Sequence, residues 1–340
     1  MPAALTDSAG DQRTGDPAGR PLYRRLVRDE FGVIAVLVVI VVGVGLFHPD
    51  FLRTGNLLSI THNTVYVGLM AGGIVFPLAM REVDLSVGGM YALCMVVGAV
   101  LIRDGLGTWI TLPAMLALAA LLGALNGVVT TYMRLPSFIV TLATAMLFRG
   151  AGLALADGKQ ITDLPQNDSF FTFLGGSSGG VPTAVWFFVV LIAVLTVMFT
   201  RTRFGARVRA IGSNPEAAEF SGLPVARTRI AALSLSGLMA GAAAVFSLAF
   251  FMAGDPTVGQ GYELTAIAGA IIGGTPLAGG RGSVVGAAVG CLILSVVASA
   301  LAFFQIPINW TTFATGGVIL IAVGADTLLR RFRNPRSAGV

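Results

Sequence analysis

The residues best suited to chemistry lie in short polar interruptions between apolar stretches. Arg81-Glu82-Val83-Asp84-Leu85-Ser86 sets three charges and a hydroxyl beside an apolar run. Such charges are costly unless they face water, a cavity or one another. Asp84 fits the N-cap of the following helix, where it would satisfy free backbone N–H groups. It also fits, with Ser86, the break of a discontinuous helix beside a translocation path. Asn126 stands among small residues in another apolar stretch. An amide there bonds a neighbouring helix for ~0.6 kcal/mol on average, or it touches a solute. Pro136 suits a first helical turn, which opens a run carrying Phe138 and Thr141 as further path candidates. Arg149 is the one cation inside a stretch, roughly 9 Å from its end at helical rise. It can snorkel to the interface, or face a cavity or an ion pair. Tyr262 and Glu263 follow Gly259-Gln260-Gly261. A carboxylate at a helix start is favoured by the dipole, and an external partner could use the pair instead.

The sharpest local pattern lies in residues 201–228. Ser213 or Asn214 can cap, Pro215 suits the first position, and Glu216 and Glu219 favour a helix start. Gly222 then fits the position after the helix, and Pro224 stops any continuation. The predicted helix has about two turns and is marginal alone, so it needs a surface to dock on. Ala217, Ala218 and Ser221 are expected to share a small-residue face.

These features sit within a chain that is 55% hydrophobic and only 11% charged, against ~25% charged in a soluble domain. Ten apolar runs recur at about 31–47, 60–80, 85–102, 108–132, 136–155, 182–200, 229–252, 263–278, 284–304 and 311–329. A bilayer-spanning helix needs ~20 such residues. The runs lack the alternation of barrel strands. The expected fold is therefore all-α, a polytopic membrane bundle of about ten transmembrane helices. Residues 1–30 read as a disordered cytoplasmic tail, too long and polar for a cleaved signal, and 330–340 as a second cytoplasmic tail. With the N-terminus inside, 18 of the 22 Lys and Arg fall on the inner side and three outside, as the positive-inside rule expects. That threading puts the 201–228 loop inside and the 156–181 loop outside. The basic pI of about 9.8 then reflects topology, and nucleic acid is not an expected partner. Gly123 and Gly127, Gly237 and Gly241, Gly269 and Gly273, and Gly282, Gly286 and Gly290 recur every fourth residue, which suits close helix packing. Spans 2–5 and 7–10 leave room for inverted repeats.

Several functions lack their residues. No phosphate-binding Gly-x-x-x-x-Gly-Lys-Ser/Thr run occurs, since Gln160 follows Gly158-Lys159. His48 and His62 are the only histidines and have no metal-ligand spacing. Cys94 and Cys291 both lie in spans and read as buried thiols. The spans lack the paired carboxylates common in proton-coupled carriers. No cofactor or metal is expected on this chain, and no enzymatic activity.

Eight motifs occur in order: Asp84-Leu85-Ser86-Val87-Gly88; Leu125-Asn126-Gly127; Leu135-Pro136-Ser137-Phe138-Ile139-Val140-Thr141-Leu142; Phe148-Arg149-Gly150; Ala210-Ile211-Gly212-Ser213-Asn214 with Ala217-Ala218 and Ser221-Gly222; Gly261-Tyr262-Glu263-Leu264; Ile272-Gly273-Gly274-Thr275; and Gly279-Gly280-Arg281-Gly282-Ser283. From about residue 30 to 330 the chain resembles the permease subunits of bacterial ATP-binding-cassette sugar importers of the ribose/xylose/arabinose/galactose type. The resemblance implies a multi-pass protein of the bacterial plasma membrane and a second permease copy or paralogue. It implies a cytoplasmic ATP-binding subunit that uses ATP, and an extracytoplasmic solute-binding protein. It implies that the segment with Gly212, Ser213, Asn214, Ala217, Ala218, Ser221 and Gly222 is the helix coupling to the ATPase. Two departures bear on substrate choice: Glu82-Val83 precede Asp84 where Gly-Ile is frequent, and Thr265 stands where an Asp is frequent. The rival reading is a stand-alone secondary carrier or channel for a small polar solute.

Overall fold

The computed structural model describes residues 22–307 and, beyond them, Trp310, Phe313, Gly316, Gly317 and Leu320. The order is α1 (Leu22–Phe47), α2 (Thr54–Ala79), α3 (Val87–Arg103), α4 (Thr108–Tyr132), α5 (Ser137–Leu155), α6 (Ser169–Leu174), β1 (Ser177–Ser178), β2 (Val181–Pro182), α7 (Thr183–Arg201), α8 (Arg203–Ser213), α9 (Pro215–Phe220), α10 (Val225–Phe251), α11 (Tyr262–Ile272) and α12 (Val284–Phe303). The expected all-α bundle is present. Among the described residues, five helices (α4, α5, α7, α10 and α12) are long and apolar enough to cross a membrane. In lipid a helix satisfies its own backbone polar groups, which is why apolar runs of this length take that form.

α2 is the axis of the bundle. Every residue from Thr64 to Ala79 is buried. α10 lies beside it, α4 packs on α10, α12 on α2, α11 on α12 and α5 on α3. The fourth-residue glycines make these contacts possible. A Cβ on Gly127 would stand 2.6 Å from Ile230 Cα, and one on Gly237 would run into the Ala119 carbonyl. Gly269 of α11 and Gly273 at its C-cap meet Gly290 and Gly286 of α12 in the same way.

Four details differ from the sequence reading. α1 begins at Leu22, so residues 22–30 are helical and are no part of a disordered tail; their Leu, Arg and Glu are good helix formers. The eighth span stops at Ile272 because Gly274 takes φ +94 and Pro276 cannot continue a helix. The loop 156–181 carries α6, capped by Asp168, and then enters a β1–β2 hairpin turning at Gly179-Gly180. The basic loop holds a second helix, α8, besides the predicted one. Its Arg-rich composition hides a stripe of Phe204, Val208 and Ile211 at helical spacing. The tenth span at 311–329, the tail 330–340 and residues 1–21 lie outside the described residues, the five named above excepted.

The α4–α10 contact is testable with matched glycines. Gly127→Leu should lower the thermal midpoint in detergent, since overpacking of this kind costs about 1–3 kcal/mol. Gly150→Leu on α5, where a Cβ meets nothing within 4 Å, should leave the midpoint unchanged. Equal midpoints for the two variants would contradict this packing.

Candidate functional site

Three strands of the fold converge where α2 ends among the arginines. Arg81 adopts φ +67 and turns its guanidinium onto the last carbonyls of α8. Nε donates to Gly212 O at 2.7 Å and an Nη donates to Ser213 O at 2.8 Å. A cation there satisfies orphan carbonyls and complements the helix dipole. The loop before α12 joins the same point, as Gly280 N donates to Ala79 O at 2.8 Å. Gly212 has to be glycine, because a Cβ would collide with the Ala79 carbonyl.

α8 is capped by Thr202, whose hydroxyl accepts from Gly205 N at 3.2 Å. It buries Val208 and Ile211. α9 follows with the expected signals. Asn214 Oδ1 accepts from Ala217 N at 3.0 Å and Pro215 opens the helix. Gly222 takes φ +73, and the pair Gly222 N→Glu219 O and Leu223 N→Ala218 O forms a Schellman close. The expected shared face is not there. Ala218 is buried against the protein itself, while Ala217 and Ser221 are exposed. Neighbouring helical residues lie about 100° apart, so Ala218 turns inward as Ala217 turns out. The exposed side of α9 also carries Phe220, 92% exposed, a residue the sequence reading passed over.

The three charges of the α2–α3 segment each find a partner. Arg81 holds α8. Glu82 pairs with Arg229 at 2.6 Å. Asp84 Oδ1 accepts from Ser86 N at 3.0 Å and from Ser86 Oγ at 2.5 Å. Asp84 is therefore not the N-cap of α3; that position is Ser86, and Asp84 closes a local turn before it. The helix break that Asp84 and Ser86 suggested is real. Its backbone is satisfied by α5, with Val83 N donating to Ser137 Oγ and Leu85 N donating to Thr141 Oγ1, both at 3.0 Å. Asn126 Nδ2 donates to Ser86 Oγ at 2.8 Å. Asp84, Ser86, Asn126 and Thr141 are all 0% exposed. They form a buried knot in which Asp84 Oδ2 and Asn126 Oδ1 have no hydrogen-bond partner among the described residues. Phe138 stands apart, 51% exposed on α5.

A second break precedes α11. Residues 252–261 run back along α3, with Gly254 against Ala99 and Gly259 against Tyr91 and Gly88. Arg149 makes no ion pair among the described residues; it donates to Val258 O at 3.3 Å and holds this segment. The starts of α3 and α11 thus meet, with Glu263 beside Gly88. Tyr262 and Glu263 do not lie at the outer end of a span. Tyr262 packs on Tyr91 at 5.7 Å, which packs on Tyr66 at 6.5 Å, and Tyr66 is ~18 Å along α2 from its first residue at helical rise. The irregular descent of 252–261 carries them inward.

α11 then covers only ~17 Å with its 11 residues. Beyond its start, between α2 and α12, lies a groove of about 480 Å³. Asn56, Ser59 and Asn63 of α2, Tyr262 and Thr265 of α11, and Ser295 and Ser299 of α12 line it. Asn56, Ser59 and Asn63 stand at i, i+3 and i+7, and Ser295 and Ser299 at i, i+4. That polar stripe was the signal in the sequence for this face.

A helical membrane bundle with a buried polar knot, two helix breaks, and a short basic helix and its short neighbour docked at one end is the membrane-embedded component of a transporter. Residues 56–323 match the family described as the permease component of the branched-chain amino acid transport system, and the chain belongs to this permease family. It is a multi-pass protein of the inner membrane. It is 34% identical to the ribose import permease protein RbsC of Escherichia coli strain K12, covering 91% of this chain and 97% of that one. It is 35% identical to RbsC of Bacillus subtilis strain 168 over 88% and 93%. It is 33% identical to the D-allose transport system permease protein AlsC of Escherichia coli over 92% and 96%. Among solved structures, a chain described as a metal-chelate type ABC transporter in an inward-facing conformation aligns with TM-score 0.50 at 17% identity, over 89% of this chain and 98% of that one. That likeness concerns the fold.

The Arg81 contact has a local consequence. Hydrogen bonds to a charged group contribute about 1.5–3 kcal/mol each. Arg81→Ala should speed amide exchange in α8 and α9 at least about tenfold while α10 keeps its protection. Unchanged exchange in α8 and α9 would show that the guanidinium does not hold them.

Proposed function

We propose that this chain is the translocating subunit of an ATP-driven importer that moves a monosaccharide or a similar small polar solute, delivered by an extracytoplasmic binding protein. The supporting observation is α9. It is a short helix, closed at both ends, held onto the bundle axis through α8 and Arg81, and it leaves Phe220 wholly exposed. An exposed aromatic anchor on a rigid support is the pattern of a binding hot spot. In this reading the arginine-rich end is cytoplasmic, α9 is the coupling helix, and its partner is a cytoplasmic ATP-binding subunit. The groove end faces out, where the binding protein docks. This chain binds no ATP and performs no catalysis; the partner consumes the ATP. A second permease copy or paralogue completes the membrane unit within the lipid. The relatives carry ribose and D-allose in their names, and this supports a sugar as cargo. The knot of Asp84, Ser86, Asn126 and Thr141 holds the helix break in place. Tyr262 and Glu263 position the start of α11.

Phe220→Ala tests the docking face. Copurification of the ATP-binding subunit and sugar uptake should both fall at least about tenfold, as truncating a hot-spot aromatic costs upward of about 2 kcal/mol, with membrane levels of the permease unchanged. A side chain that merely lies on the surface changes stability within about ±0.5 kcal/mol, and wild-type copurification and uptake would refute the role. Ala218 is unsuitable for this test because it packs inward, so a large substitution there would disturb α9 itself.

A further inference from the structure

We propose that the groove between α2 and α12, above the start of α11, is a solute-binding site within the permease itself, selective for an uncharged polyhydroxy compound. The inference deepens the importer reading and rests on it. The groove exists because α11 is a half-length helix, so the volume beside the first half of α2 and the second half of α12 is not filled by it. Its walls carry hydroxyl and amide groups from three helices. Ser299 Oγ donates to Asn56 Oδ1 at 3.1 Å and closes one side of it, Ser59 and Thr265 donate to the carbonyls of Gly55 and Gly261, the side chains of Asn63 and Ser295 make no hydrogen bond to the described residues, and Tyr262 and Thr265 form the floor.

Two features distinguish this lining from helix-packing polarity. Asn63 is exposed and makes no hydrogen bond to the described residues, although every neighbouring position from Thr64 onward is buried. A free amide is costly against hydrocarbon; it is satisfied by water or a polar solute. Moreover, none of the described lining residues is ionised. A zwitterionic amino acid would leave both of its charges uncompensated here. A sugar presents uncharged hydroxyl groups, each a donor and an acceptor, and an acceptor ring oxygen, and the lining offers both kinds of partner. The volume of about 480 Å³ falls in the usual range for small-molecule sites of about 300–1,000 Å³. Asn63 and Thr265 are the specificity-determining positions, as they project from different helices into the same space.

The test uses the complete transporter, with its ATP-binding subunit and binding protein, in proteoliposomes. Asn63→Cys is placed in the natural background, whose Cys94 and Cys291 are buried. The modification rate by a charged methanethiosulfonate applied from the binding-protein side is measured with D-ribose, D-allose, D-xylose or L-leucine present. Whichever sugar the wild type takes up should slow modification at least fivefold, leucine should not, and complete modification should stop uptake while basal ATP hydrolysis persists. Asn63→Leu should raise KM for that sugar at least fivefold with the maximal rate within twofold. Equal modification rates with and without the sugar, or an unchanged KM, would overturn the site. Protection by leucine alone would overturn its selectivity. Wild-type uptake in the same vesicles separates the two levels: a wild type that imports sugar while the Asn63 variants behave normally refutes the groove and leaves the importer reading standing. A wild type that imports leucine and no sugar refutes both.

Discussion

Backbone that leaves the helix inside a bilayer must have its N–H and C=O groups satisfied by protein, and the rest of this structure is arranged around two places where that happens. Residues 82–86 unwind between α2 and α3, and hydroxyls from α5 take over the missing helix bonds at Val83 and Leu85. Residues 252–261 unwind before α11, where Ile161 and Gly254 exchange bonds and Arg149 reaches Val258 O. Unwound backbone is tolerated at membrane depth only where protein buries it or a cavity wets it. Here the first break is buried and the second opens beside a groove. The two meet where Glu263 approaches Gly88. Non-helical segments before two short helices are the pattern by which transporters build sites from broken spans.

The buried break also fixes how motion can travel. α2 passes from the groove at Asn56 and Asn63, through the tyrosine cluster at Tyr66, to Arg81 at the arginine-rich end. It is buried on every side along its last 16 residues, so it moves with its neighbours as a rigid element. Arg81 then ties it to α8, and Gly280 ties it to the loop that follows α11. A displacement of α9 by a partner would reach α2 and α11 together. A ligand or partner biases two conformations only through its differential affinity for them, and this junction gives one surface contact leverage over both helices that floor and wall the groove.

Much of this was legible in the chain. The helices follow from the length of the apolar runs, and the close pairs follow from glycines at every fourth residue. α9 was readable residue by residue, because Asn214, Pro215, Gly222 and Pro224 each have a local backbone reason to be there. Positions that depend on tertiary geometry were not. Asp84 fits a cap by residue type, yet the chain begins α3 two residues later and turns Asp84 onto Ser86. Tyr262 and Glu263 were assigned to an outer end because counting spans assumes full-length helices; a descending irregular segment displaces them by half a span. Phe220 was unremarked because the exposure of a single aromatic depends on what packs around it. The groove residues were missed because Asn56, Ser59 and Asn63 look like a weakly apolar start to a span, and only the shortness of α11 gives them a common space.

The most direct measurement of this account follows ATP hydrolysis and solute uptake together in the reconstituted transporter carrying Arg81→Ala. The junction at Arg81 is held to carry closure of the ATP-binding subunit into α2. The variant should still bind that subunit through α9 and hydrolyse ATP within about twofold of wild type. Uptake should fall at least about tenfold, and the binding protein should no longer stimulate hydrolysis, with Arg81→Lys intermediate because an ammonium lacks the planar fork of a guanidinium. An Arg81→Ala transporter that imports solute at the wild-type ratio to ATP consumed would contradict the account.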